Sequence, residues 1–265
     1  MALKLFEHPL SPYARKLKLV VYEKGIPIQR IFVNPNARSD DASYQEFVLA
    51  SPRLEVPVLV DGDVRIFDST IALDYVEESW PRPAMMPDTP ADRARIRMLE
   101  EMCDTQLEAI NWGLMELHFF KRAGAEQTAE MSARAGEQLR RIWRRLEREL
   151  DGREFMNGAR FGRGDAAVYP HLAASEMFGQ PLGDRFPRLS AWLARCRERA
   201  SVQQEGRELA ECLKTELAGG PASGRMPIVR QYRDHRLEWM MKSGGTNIVL
   251  DGLAKGTIRF AHEFE

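Results

Sequence analysis

The chain has 265 residues, 44% of them hydrophobic and 29% charged, with 38 basic against 39 acidic groups and a formal net charge of −1. That is enough apolar chain to bury a core in one large or two modest domains, which excludes a disulfide-stapled miniprotein and a disordered chain. The even charge balance excludes general nucleic-acid binding, which needs a clear cationic surplus to neutralise phosphates.

Three cysteines, Cys103, Cys196 and Cys212, are widely spaced and form no Cys-x-x-Cys pair. The histidines His8, His118, His171, His235 and His262 have no neighbouring ligand in the sequence. Neither a metal site nor a disulfide framework is expected. Charges interrupt Met1 to His8 where a signal peptide needs a continuous apolar run, and no later run reaches the length of a membrane span. A cytoplasmic protein with no membrane or nucleic-acid partner is the expectation.

In chain order, Lys4 to Phe6 reads as a short strand, and Ser11-Pro12 as the N-cap and first residue of a helix running to Lys24, with Gly25 beyond its end. Arg30 to Val33 is a second strand, parallel to the first through this crossover helix. A short helix ending near Ala50 follows. Val56 to Val60 and Val64 to Phe67, joined at Asp61-Gly62-Asp63, form an antiparallel hairpin. Asp68-Ser69-Thr70 caps a third helix, which stops near Trp80-Pro81-Arg82-Pro83, so the first half reads βαβαββα.

From Thr89 the texture becomes helical. Thr89, Pro90 and Asp92 start a helix whose apolar residues keep helical spacing to about Arg122. A second long helix carries Leu139, Ile142, Trp143, Leu146 and Leu150 on one face and a run of arginines on the other; interleaved acidic residues favour a solvated face over a binding site. Further helices are expected at Asp165 to Phe178 and Pro187 to Arg199. Ala218 to Gly224 is a linker by composition. After it, Arg230 to Met241 suits a helix stopped by Gly244-Gly245, and the tail holds enough apolar residues to dock.

Four stretches carry a resemblance: Ser11-Pro12-Tyr13-Ala14-Arg15-Lys16; Ser51-Pro52-Arg53-Leu54-Glu55-Val56-Pro57-Val58-Leu59; Phe67-Asp68-Ser69-Thr70-Ile71-Ala72; and Gly158 through Ala167. In this order and spacing the chain resembles the cytosolic glutathione transferase family, in its bacterial serine-type form, with an additional C-terminal extension. The resemblance implies an α/β thioredoxin-like N-terminal domain (βαβαββα) at 1–82, an all-α helical bundle domain at 88–212, and an extension of unassigned role at 213–265. It also implies a homodimer that uses glutathione as co-substrate and attacks a hydrophobic electrophile, as in detoxification.

By the same resemblance, Ser11 donates a hydrogen bond to the glutathione sulfur, where a thioredoxin-like redox protein would carry a cysteine. As a helix N-cap, Ser11 has a purely structural role as well, and Tyr13 is the reserve candidate. Val56-Pro57 is cis in the family, and the residue before the proline pairs its backbone with glutathione's cysteine; a proline that merely opens a strand is the plainer reading. Ser69 takes the γ-glutamyl carboxylate and Asp68 the ammonium. Glu55 stands near glutathione's glycine end, where relatives often carry Lys or Gln, so it turns to solvent or pairs with Arg53 or Arg38. Gly162 and Asp165 keep half of a capping box, a folding signal. Pro9, Trp112, Met115 and Phe119 are candidates for the electrophile pocket, with plain core packing as the alternative. Two other functions remain open: a non-catalytic adaptor of the same fold that binds a protein partner, and a specialised glutathione-dependent dehalogenase or ether-cleaving enzyme. For the tail, the cleft mouth, a dimer partner and another protein are the available surfaces, and packing on its own subunit near the cleft is the expectation.

Overall fold

A computed structural model describes residues 3–33, 40–218, 230–231 and 234–259. Strands β1 (Leu3–Glu7), β2 (Ile28–Phe32), β3 (Val58–Asp61) and β4 (Val64–Phe67) form one sheet in the order β2-β1-β3-β4. The β1–β2 pair is parallel, with Leu3 opposite Ile28, and β3 is antiparallel to both β1 and β4. Side chains of successive strand residues alternate between the two faces. Thus Leu3, Leu5 and Leu59 join a core with α1 (Pro12–Glu23) and α3 (Ser69–Ser79), while Phe6, Val58 and Val60 join a separate cluster with Tyr44 and Phe47 of α2 (Ala42–Ala50). Strand β3 begins at Val58 rather than Val56, because the cis Val56-Pro57 step lies outside the ladder.

The helical half comprises α4 (Pro90–Met102), α5 (Glu108–His118), α6 (Ala125–Glu149), α7 (Arg163–Met177), α8 (Pro187–Arg197) and α9 (Ala200–Ala218). The long helix expected from Thr89 to Arg122 is two helices joined by a π-helical turn, Cys103–Leu107, and it ends at His118. Such a turn leaves backbone groups out of the regular i→i−4 ladder. Asp165 organises the start of α7: its carboxylate accepts from the backbone N–H of Gly162 (2.9 Å) and Met156 (2.7 Å) and from the Trp192 indole (2.7 Å). Helix α9 continues unbroken across the boundary expected at 212.

Helix α1 is enclosed. Its cations Arg15, Lys16 and Lys18 are buried along with its apolar stripe. Arg15 forms a two-point pair with Glu205 of α9 (2.5 and 3.1 Å), and Lys18 pairs with Glu208 of α9 (2.9 Å) and Glu7 of β1 (3.1 Å). Removing one partner of such a buried pair typically costs about 3–5 kcal/mol, because the survivor keeps a desolvated charge.

The extension docks on its own subunit. It contains β5 (Arg230–Gln231), α10 (Asp234–Lys242), α11 (Thr246–Ala254) and β6 (Ile258–Arg259), with β5 and β6 parallel. The helix expected from Arg230 starts at Asp234, and α11 follows directly after the Gly244-Gly245 stop. Trp239 of α10 is buried over Gly113 of α5, where a β-carbon would lie 2.1 Å from the indole ring, and its Nε1 donates to Gln138 of α6 (2.5 Å). The linker residues Gly219 to Gly224 and Arg38 lie outside the described residues.

Candidate functional site

A cleft opens where the start of α1, the connection before β3 and the start of α3 meet the π-helical turn of the other half. Tyr13 contributes from α1; Ser51, Arg53, Glu55, Val56 and Pro57 from the α2–β3 connection; Phe67 through Thr70 from the end of β4 and the start of α3; and Glu101, Asp104 and Thr105 from the opposite wall. The Ser51 hydroxyl fixes the connection by accepting from the Glu55 N–H and donating to the Glu55 carbonyl, both at 3.0 Å. The Val56-Pro57 bond beside it is cis. Arg53 lies over the Phe67 ring, its guanidinium carbon 5.6 Å from the ring centroid.

The N-cap of α3 is Asp68, and Ser69, expected as the capping serine, is the first helical residue. The Asp68 carboxylate accepts from the N–H of Thr70 (2.9 Å) and Ile71 (3.5 Å), which fixes it at φ +77°. A non-glycine residue in that region costs on the order of 1–3 kcal/mol, so the cap holds a strained backbone at the rim of the cleft. Asp68 is exposed and Ser69 buried. The positive end of α3 therefore faces the cleft with a carboxylate at its edge, a suitable cradle for a group carrying both a carboxylate and an ammonium.

Ser11 caps α1, its Oγ accepting from the Ala14 N–H at 3.3 Å. A hydroxyl has two acceptor sites and one proton, so capping leaves the O–H available to donate. Ser11 is half-buried beside the cleft and does not line it. Tyr13 does line it, with its hydroxyl donating to the backbone carbonyl of Asp104 at 2.8 Å. Pro9, Trp112, Met115 and Phe119 lie outside the lining; Pro9 is buried and the other three half-buried. Trp112 is covered by Arg236 of α10, whose guanidinium carbon is 4.3 Å from the ring centroid.

Behind the cleft, Lys16 bonds to Glu100 (2.7 Å), to Asp104 and to the Thr70 hydroxyl (3.3 Å). Burial alone would lower the Lys16 pKa, but the two carboxylates overcome it and hold the ammonium above its usual value. Burial would likewise raise Asp104, yet Lys16 and His171 keep it below the usual carboxylate range. His171 Nε2 lies 3.6 Å from the Asp104 carboxylate. Arg163 completes the network through Glu100 (2.7 Å) and Asp74. This lattice ties α1, α3, α4 and α7 together and fixes both walls. The wall residues Glu101, Asp104 and Thr105 escaped the sequence reading, although their i, i+3, i+4 spacing puts them on one helical face.

Comparison with known proteins agrees with this architecture. Residues 5–84 match the glutathione S-transferase N-terminal domain and residues 110–200 the glutathione S-transferase C-terminal domain. A stringent starvation protein A homolog from Haemophilus ducreyi is 33% identical over 96 residues, 36% of this chain and 42% of that protein. Glutathione S-transferase U2 of Arabidopsis thaliana is 23% identical over 213 residues, 77% of this chain and 87% of that one. A glutathione S-transferase from Methylobacterium radiotolerans, solved in complex with glutathione sulfonate, shares the fold at a TM-score of 0.63 and 23% identity, over 77% of this chain and 94% of that chain. With both halves matched in the family's own order, on a thioredoxin-like sheet followed by a helical bundle, the chain belongs to the glutathione S-transferase family.

Proposed function

We propose that the protein is a glutathione transferase, a cytoplasmic homodimer that holds glutathione as a thiolate for attack on a hydrophobic electrophile. The observation that carries this reading is the convergence of Val56-Pro57, the Asp68-Ser69 start of α3 and the start of α1 on one cleft. The Val56 backbone pairs with the cysteine of glutathione, Ser69 and the helix terminus take the γ-glutamyl carboxylate, and Asp68 takes the ammonium. Glu55 stands toward the glycine end.

Ser11 is the sulfur's hydrogen-bond donor. Its proton remains after capping, whereas the Tyr13 proton is committed to the Asp104 carbonyl. A free thiol has a pKa of about 8.5, and lowering it by one to two pH units takes about 1.4–2.7 kcal/mol of differential stabilisation. One hydroxyl bond and the positive end of α1 supply energies of that order.

Glutathione should raise the melting temperature, and Ser11→Ala should lower turnover of an activated aryl halide at least tenfold while glutathione affinity is retained. Equal rates for wild type and Ser11→Ala, with Tyr13→Phe impaired, would move the donor role to Tyr13. Exposed Met241, Leu250 and Leu253 on the extension favour a second reading, an adaptor whose docked tail meets a protein partner. An unchanged melting temperature in tens of millimolar glutathione would put that reading first.

A further inference from the structure

In the sequence the arginines of α6 alternate with acids, and that interleaving favours a solvated face. The folded helix separates the two. Leu139, Ile142, Trp143 and Leu146 turn to the core, while the outer face carries Arg140, Arg144 and Arg148 in one row with Arg141 and Arg145 beside it. Neighbours within each row are four residues apart, about 6 Å along the helix axis. Glu147 and Glu149 lie half-buried at the edges of this face, and both are engaged elsewhere. Glu147 accepts from the N–H of Arg188 (3.1 Å) and of Leu189 (2.8 Å), closing the start of α8. Glu149 pairs with Arg95 (3.4 Å) and Arg145 (2.7 Å).

Arg140, Arg141, Arg144 and Arg148 are left without an acidic partner among the described residues. Like charges four apart on a helix repel, and only Arg148, in the last turn, gains from the helix's negative end. The row therefore weakens the free helix, and a ligand that neutralises it relieves that repulsion. None of these arginines lines the cleft.

The chemistry of the face selects its ligand. Every cation of α6 is an arginine. A guanidinium presents paired donors that match both oxygens of a carboxylate. Trp143 is buried, so the face has no aromatic ring for bases to stack on, and a net charge of −1 lacks the cationic surplus of a nucleic-acid binder. An acidic protein helix fits instead, because its carboxylates at i, i+4 and i+8 repeat at the spacing of the arginine row.

We propose that the outer face of α6 is a docking surface for an acidic helix of a protein partner, whose carboxylates, four residues apart, take the guanidinium groups of Arg140, Arg144 and Arg148. Arg141 holds the neighbouring row. The surface lies apart from the cleft, so the proposal stands whether or not glutathione binds.

The test is fluorescence anisotropy of the full chain with two labelled alanine-based peptides of about sixteen residues, long enough to hold a helix in isolation. One carries glutamate at every fourth position; the other has the same composition with its glutamates bunched at one end. The spaced peptide should bind at least about fivefold more tightly than the bunched one, with an affinity that falls as salt is raised. Arg144→Glu combined with Arg148→Glu should weaken that binding about tenfold or more, while circular dichroism and the melting temperature show the fold retained. If the double variant does not fold, Arg144→Gln decides alone: a loss of about threefold or more supports the proposal and an unchanged affinity overturns it. Equal binding of the two peptides, or no binding at low salt, would also overturn it. So would tighter binding of a labelled oligothymidine than of the spaced peptide, which would make nucleic acid the occupant. Salt-dependent self-association that the double variant abolishes would make a second copy of the chain the occupant and overturn it as well.

Discussion

Gly113→Ala tests the docking of the extension by reversing an ordinary rule. In the middle of a helix, alanine is more favourable than glycine by about 1 kcal/mol, so propensity alone forecasts a more stable protein. Here the new β-carbon would sit 2.1 Å from one ring carbon of Trp239 and 2.7 Å from two more. No adjustment of a few tenths of an ångström clears three atoms of a rigid buried ring, so the indole must leave its notch and its bond to Gln138 is lost. Removing a buried aromatic side chain costs about 3–5 kcal/mol. Set against the propensity gain, Gly113→Ala should destabilise the docked state by about 2–4 kcal/mol. The assay is urea denaturation followed by tryptophan fluorescence, with limited proteolysis of the extension as a second probe. In a Trp239→Ala background the same substitution should be neutral or mildly stabilising, giving a coupling of opposite sign to the single change. Stabilisation by Gly113→Ala in the otherwise wild-type chain would refute the docking geometry.

Two further outcomes follow from buried charges. Lys16→Met should destabilise the fold by about 3–5 kcal/mol in chemical denaturation, because Asp104 and Glu100 keep desolvated carboxylates; a loss under 1 kcal/mol would mean that water reaches the network. His8 is lowered to about 4 by burial and by Lys18. Its unfolded value is about 6.5, so the unfolded chain takes up the proton first. The stability tied to neutral His8 is present above pH 6.5 and falls as the pH drops toward 4, by about 3 kcal/mol. His8→Gln should flatten that part of the stability profile, and an unchanged slope would show that other groups carry it.

Local rules reached the thioredoxin-like half almost entirely. Its strands are short, largely apolar runs, Asp61-Gly62 marks the hairpin, and Ser11, Asp68 and Gly25, the last at φ +64°, punctuate the helices. Periodicity also found the buried stripe of α1, Leu17, Val20 and Val21. It could not find that Arg15, Lys16 and Lys18 on the remaining faces are buried too, because the helical-half acids that enclose them, Glu205, Glu100 and Glu208, lie between 84 and 190 residues away. The π-helical turn was invisible for a related reason: the helical pattern of apolar residues runs through Cys103–Leu107, and only the backbone bonding changes. Helices α9 and α11 were passed over because Glu205 and Glu208 read as solvent-facing until α1 is placed against them, and Ile248 and Val249 until the extension is docked. Within the site, motif spacing led to Val56-Pro57 and Asp68-Ser69, while the opposite wall depends on tertiary packing.

The enclosure of α1 bears on how the chain assembles during synthesis. The first seventy-nine residues, through the end of α3, hold the whole four-stranded sheet and its three helices. When they leave the ribosome, the acids that neutralise Arg15 and Lys16 have yet to be made. Glu100 and Asp104 arrive with the next helix and its turn, but Glu205 comes 190 residues after Arg15. Closing a loop of that length precedes any reward from the contact, and topologies rich in such contacts fold slowly. Until α9 emerges, the nascent sheet domain presents a cationic helix face to its surroundings, and the acids of α9, among the last helical residues translated before the extension, bring α1 to its final neutral enclosure.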